Sequence, residues 1–179
     1  MQEIILKIQY SNQYLANILT GVGFIITFLF PTMGKTQNMP FPPPNQMQVF
    51  TVQHLNFGSF FNGTGGGQVI LSPEGFRTST GSVLLAAGTF HQAIFDLRLI
   101  PGRWVQIQLG PATTLEHQGG GGSMSLTIGP TDRGTGFVTT GGHPFRNPVK
   151  VGGTLTVGNS AANPPGNYSG TFYITFIQE

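Results

Sequence analysis

From residue 47 onward, apolar and polar side chains alternate with a period of two, and this pattern narrows the fold more than anything else in the chain. In residues 102–110 (GRWVQIQLG), Val105, Ile107 and Leu109 fall on one face, and Trp104, Gln106 and Gln108 on the other. In residues 93–100, Ala93, Phe95, Leu97 and Leu99 point inward, with Asp96 and Arg98 outward as ordinary solvated charges. Pro101-Gly102 between these runs reads as a tight hairpin turn. The same period recurs in 122–128, in 149–157 (broken by Gly152-Gly153, which suggests a bulge or bend) and in 168–177, where Phe172, Ile174 and Phe176 face inward. Weaker strands are expected at 47–52, 55–60, 68–71, 82–86, 111–116 and 135–139. No stretch after residue 38 combines helical spacing with caps. Nine or ten short strands separated by turns predict an all-β, antiparallel sandwich.

The 27 glycines serve such a fold by permitting the positive φ that tight turns need. Residues 63–67 (GTGGG) and 119–122 (GGGG) read as hairpin loops rather than phosphate loops. Neither opens a helix, and neither is followed by a Lys-Ser/Thr pair.

Ahead of the alternating region lies a different kind of segment. Residues 18–30 (ILTGVGFIITFLF) carry no charge, and Pro31 and small residues follow. This uncharged, mostly apolar run of thirteen residues falls short of the roughly 20 apolar residues needed to span a membrane. It matches the apolar core of a secretory signal, and an uncleaved signal anchor is the alternative. The division expected is therefore 1–37 as signal peptide and leader, 38–46 as a proline-rich linker (NMPFPPPNQ), and 47–179 as the sandwich domain. The protein is then exported to the periplasm, the cell surface or the medium, with no transmembrane span in the mature form. It has no cysteine, so the exported domain depends on its core, on partners or on metal rather than on disulfides.

Lys and Arg number 8 and Asp and Glu 6. Without Lys7, Lys35 and Glu3 the balance is six to five, which offers no overall electrostatic footprint for nucleic acid or anionic lipid. Catalytic chemistry finds little to work with. The acids after residue 38 are Glu74, Asp96, Glu116, Asp132 and Glu179, and no Gly-x-Ser-x-Gly elbow occurs. His54, His91, His117 and His143 lack zinc-site spacing, and Asp132 has no Asp-x-Asp neighbour for calcium. No catalytic residue, metal or cofactor is expected. Asn62 and Asn167 open sequons that matter only in a eukaryotic secretory pathway. Trp104, the single tryptophan, stands with Gln106 and Gln108 on the outward face. It forms either a contact surface for a sugar ring or a partner, with Tyr173 as a companion, or an aromatic covered by a loop.

Four segments in order carry a family resemblance: LNFGSF (55–60), GGGQVILSPEGFRTSTGSV (65–83), VGGTLTV (151–157) and PPGNYSGTFYITF (164–176). Together they resemble a family of bacterial exported proteins known only as a domain of unknown function, itself similar to spore-coat-protein-U-like and fimbrial (pilin-like) domains. The resemblance implies an immunoglobulin-like sandwich at the cell surface and no enzymatic activity. The function expected is a structural or adhesive subunit. Gln48, Val49, Phe50, Thr51 and Val52 form a candidate strand-exchange segment that pairs either at home or with other copies or envelope proteins by strand addition. A carbohydrate-binding module using the Trp104 patch is the alternative.

Overall fold

A computed structural model describes residues 4–6, 46–142 and 144–179, the side chains from residue 46 onward. The apolar run 18–30 and the linker prolines lie outside the described residues, and so does His143. The described chain is all strand and turn, with no helix among these residues.

The described residues form twelve strands: β1 Ile4–Leu6, β2 Gln48–Gln53, β3 Phe60–Leu71, β4 Arg77–Leu85, β5 Ala93–Arg98, β6 Trp104–Leu109, β7 Thr113–His117, β8 Ser123–Thr131, β9 Gly136–Val138, β10 Arg146–Val157, β11 Tyr168–Gly170 and β12 Ile174–Gln178. One sheet runs β1-β11-β7-β8-β10-β3-β4, with a side branch in which β5 joins β10 and β2 joins β5. The other is the three-stranded β12-β6-β9. All pairings are antiparallel except β1 with β11.

β10 organises the large sheet. Val151 is flanked by Ala93 on one side and Thr131 on the other; Gly153 is flanked by Leu71 and Ile128. Thus β8 follows one edge of β10, while β5 and then β3 share the opposite edge. The changeover falls at Gly152, where the ladder to β8 also shifts register. A Cβ at Gly152 would collide with the Leu71 carbonyl. The bend expected from Gly152-Gly153 is therefore present, and it forks the sheet.

The core follows the alternation. Phe95, Leu97, Val105, Ile107, Val149, Leu155 and Phe172 are among its fully or almost fully buried side chains. Phe95 of β5 meets Phe172 edge-on at 6.5 Å between ring centroids and Phe176 of β12 at 5.7 Å. These rings hold the β5–β2 branch against the three-stranded sheet, giving a curled antiparallel sandwich. Tyr168 is buried, and its hydroxyl donates to the Pro164 carbonyl four residues upstream at 2.8 Å. This is the tyrosine-corner arrangement found in immunoglobulin-like sandwiches.

Several local expectations are corrected. Pro101-Gly102 does not close a hairpin, because β5 and β6 belong to different sheets. Both strands turn their apolar side to the same core, so they stack face to face, and the turn is a corner between layers. The run 63–67 is not a loop: it lies within β3 as a bulge between Asn62 and Gly67, with Gly66 at φ 68° against the Val157 carbonyl. Residues 55–60 make only a single bridge, Asn56 with His91, before β3 begins. There Arg77 takes the place of a neighbouring strand. Its guanidinium donates to the Phe57, Ser59 and Ala86 carbonyls and lies 4.3 Å over the Phe90 ring. The final run 168–177 splits after Gly170 into β11 of one sheet and β12 of the other, with buried Phe172 at the crossing.

Candidate functional site

Two outer faces and one edge strand carry the residues singled out by sequence. The edge strand is β2. It pairs antiparallel with β5 through Gln48↔Arg98, Val49↔Leu97, Phe50↔Asp96 and Thr51↔Phe95, then slips by one residue before Gln53↔Ile94. β5 is the only strand paired with β2 among the described residues. Val49 packs against the core, while Phe50 (43% exposed) and Val52 (54%) face out. Met47 N–H donates to the Gln178 side-chain oxygen at 3.0 Å, which ties the start of β2 to the end of β12 in the other sheet.

Outside β2 and β5 lies an ion cluster that the alternation placed on the correct side but in the wrong environment. Asp96 is only 1% exposed rather than solvated. Arg146 Nε donates to its Oδ2 at 2.8 Å, and Arg98 Nε approaches the same oxygen at 3.5 Å. The Arg98 guanidinium lies 4.5 Å from the centre of the Phe50 ring. Arg98 and Arg146 stand directly opposite each other across the β5–β10 ladder, an arrangement that like charges disfavour without a shared counter-ion. Asp96 supplies that counter-ion. Its covering comes from Arg98 on its own strand together with Arg146 of β10 and the Phe50 ring of β2, and the last two cannot be read from its own strand.

The second face is the outer side of β12-β6-β9. Trp104 is 42% exposed and pairs with Val138, itself half exposed. A Cβ on Gly136 would meet the Trp104 ring at 2.7 Å, so the indole lies across the bare backbone of that glycine. Gln106 is half-buried opposite Ile177, and Gln108 is exposed opposite Thr175. Tyr173 is 54% exposed, but its carbonyl accepts from Gly110 N–H, six residues along the ladder from Trp104. At strand rise this separates the two aromatics by about 20 Å. They occupy opposite ends of one face and do not form a single patch; Trp104 has Val138 and Gln106 as its neighbours.

The remaining candidates take structural positions. His91 Nδ1 lies 2.7 Å from the His54 carbonyl, and His117 sits between the Gly120 and Pro165 carbonyls beside the Tyr168 ring. Among the described residues no three His, Cys, Asp or Glu side chains gather as metal ligands would. Asp132 Oδ1 accepts from Lys150 N–H. Asn62, of the first sequon, donates its amide to the Asn163 carbonyl at 3.0 Å. A cleft of about 370 Å³ opens beside Asn56, Ser59, Thr89 and Asn167. Its floor at Gly58 lies against Arg77, whose guanidinium is held below its ordinary value by burial. No described helix is long and apolar enough to cross a membrane.

Sequence reasoning missed the Asp96–Arg98–Arg146 cluster as a unit. Asp96-x-Arg98 signals one pair, but Arg146 comes from 50 residues away through the β5–β10 register. No curated protein and no solved structure matches the chain. A family model does match, over residues 47–177, nearly all of the described sandwich, and the chain belongs to that family, the domain of unknown function DUF4402.

Proposed function

We propose that this protein is an exported structural or adhesive subunit of a bacterial envelope, fimbrial in kind, that acts through strand pairing and surface contacts rather than catalysis. The observation that carries this reading is β2. Among the described residues it is an edge strand at the start of the domain, it bears no charge and no proline, and it pairs with β5 through a ladder of five residue pairs. Edge strands without such protection are templates for pairing with another chain. Seated at home, β2 closes the domain; seated in a second copy, it joins two domains. The likeness of the quoted sequence segments to spore-coat-protein-U-like and fimbrial domains supports the same reading, as does the apolar run at 18–30 as an export signal.

The test compares protein starting at residue 38 with protein starting at residue 54, by light scattering and negative-stain microscopy. The shorter chain should gain affinity for a peptide of residues 46–53, and the longer chain should form linear assemblies at high concentration. A longer chain that stays monomeric at every concentration, and a shorter one that ignores the peptide, would remove the proposal.

A second reading is favoured by a separate observation, the Trp104 indole resting on Gly136 at the surface. A flat, half-exposed indole beside Gln106 suits stacking against a sugar ring. A glycan array with wild type and Trp104→Ala decides it: this reading requires wild-type signals that the variant loses.

A further inference from the structure

We propose that the cleft between residues 56–59 and 87–89 binds a small hydroxylated carboxylate, the size of one acidic sugar. Its volume of about 370 Å³ suits one such molecule and no extended chain. Asn56, Gly58 and Ser59 come from the segment before β3, Ala87, Gly88 and Thr89 from the segment after β4, and Asn167 from just before β11. No acid is among them. Beneath lies Arg77. A Cβ on Gly58 would come within 2.5 Å of its Nη1, so the guanidinium sits directly under that glycine. The Arg77 charge has no counter-ion. Its nitrogens donate to the Phe57, Ser59 and Ala86 carbonyls, its buried Nε has no partner, and every ion pair among the described residues belongs to Asp96. A desolvated cation without an acid favours an anion in the space above it.

The lining selects the ligand further. The Ala86 carbonyl turns toward Arg77, and across a trans peptide the Ala87 N–H turns the other way. The N–H groups of Ala87, Gly88 and Thr89 have no acceptor among the described residues. Successive unpaired N–H groups add to the attraction for an anion. The Ser59 and Thr89 hydroxyls make no hydrogen bond within the described chain, and they can both donate to and accept from the hydroxyls of a ligand. Arg77 acts by its charge from below and not as a fork, because its terminal nitrogens are turned to carbonyls. One cation matches one carboxylate; a phosphate group brings close to two charges at pH 7 and would leave one unmatched.

The experiment titrates the full chain at pH 7 with galacturonate, its methyl ester, acetate and inorganic phosphate, and follows the backbone amides by NMR. Galacturonate should bind with about millimolar affinity and shift the amides of residues 87–89. The ester lacks the charge, acetate lacks the hydroxyls, and phosphate carries excess charge; each should bind about fivefold more weakly. Ala87→Asp, at an exposed position, should weaken galacturonate about tenfold by like charge, while Ala87→Asn binds as wild type does. Both variants should keep the wild-type melting temperature. Absence of galacturonate binding well above millimolar concentration would overturn the proposal. So would the ester, acetate or phosphate held as tightly, full affinity in Ala87→Asp, equal losses in Ala87→Asp and Ala87→Asn, or shifts centred on Trp104 instead of residues 87–89.

Discussion

The outward faces of β5 and β6 come from the same alternation on adjacent strands, yet they end in opposite conditions. On β5, Asp96 is sealed beneath Phe50 and the two arginines. On β6, Trp104 lies open, because its neighbour across the ladder is three-residue β9 with Gly136 at the point of contact. Period two decides which side of a strand a residue occupies. Whether that side meets water depends on the size of the residues placed beside it by strands distant in sequence.

Five substitutions would break or sharpen this contrast. The largest effect should come from the layer beneath both faces: Phe95→Ala removes the ring that meets Phe172 and Phe176, and should cost about 4 kcal/mol in chemical denaturation. Next is the sealed face. Asp96→Asn leaves two arginines opposed without a counter-ion, and about 2–3 kcal/mol should be lost; the partly exposed guanidiniums keep this below the value for a fully buried pair. If Asp96→Asn is neutral, the sealing is cosmetic and the contrast fails.

Outside both faces, Tyr168→Phe removes the hydroxyl bond to Pro164 and should cost about 1 kcal/mol. Desolvation raises the Tyr168 phenol above its ordinary 10.0, against a smaller opposing effect of Asn163. A raised folded-state value means that this contribution is intact below about pH 10 and is lost above it, as the unfolded chain ionises first. Wild-type stability should therefore fall above pH 10 more steeply than that of Tyr168→Phe. The smallest effect belongs to the open face: Trp104→Ala should change stability by less than about 0.5 kcal/mol. As the single tryptophan, Trp104 also makes that face visible by fluorescence. Gly136→Ala should shift its emission by displacing the indole.

Much of the architecture was legible in the sequence because inward residues are its strongest signal. Val105 and Ile107, Phe172, and the bend at Gly152-Gly153 all sit where the alternation placed them. What could not be read was partnership between sheets. Pro101-Gly102 looks identical whether it closes a hairpin or turns a corner, since both need a tight reversal between two apolar-faced strands. The run 63–67 has the composition of a loop, and only the close approach of Gly66 to the Val157 carbonyl shows why a bulged strand needs the same residues. For the candidate surfaces, sequence identified Trp104 and the segment from Gln48 to Val52. It could not join Arg146 to Asp96, nor see that Tyr173 lies far from Trp104, because both facts are matters of register.

The forked strand β10 has a mechanical consequence. Because β8, β5 and β3 all lean on it, loosening either branch as far as Gly152 disturbs the support of the other. The domain therefore has one spine instead of two separable leaves. Its amides should be the last to exchange with heavy water, and a pull applied through β2 or β4 arrives at the same twelve residues.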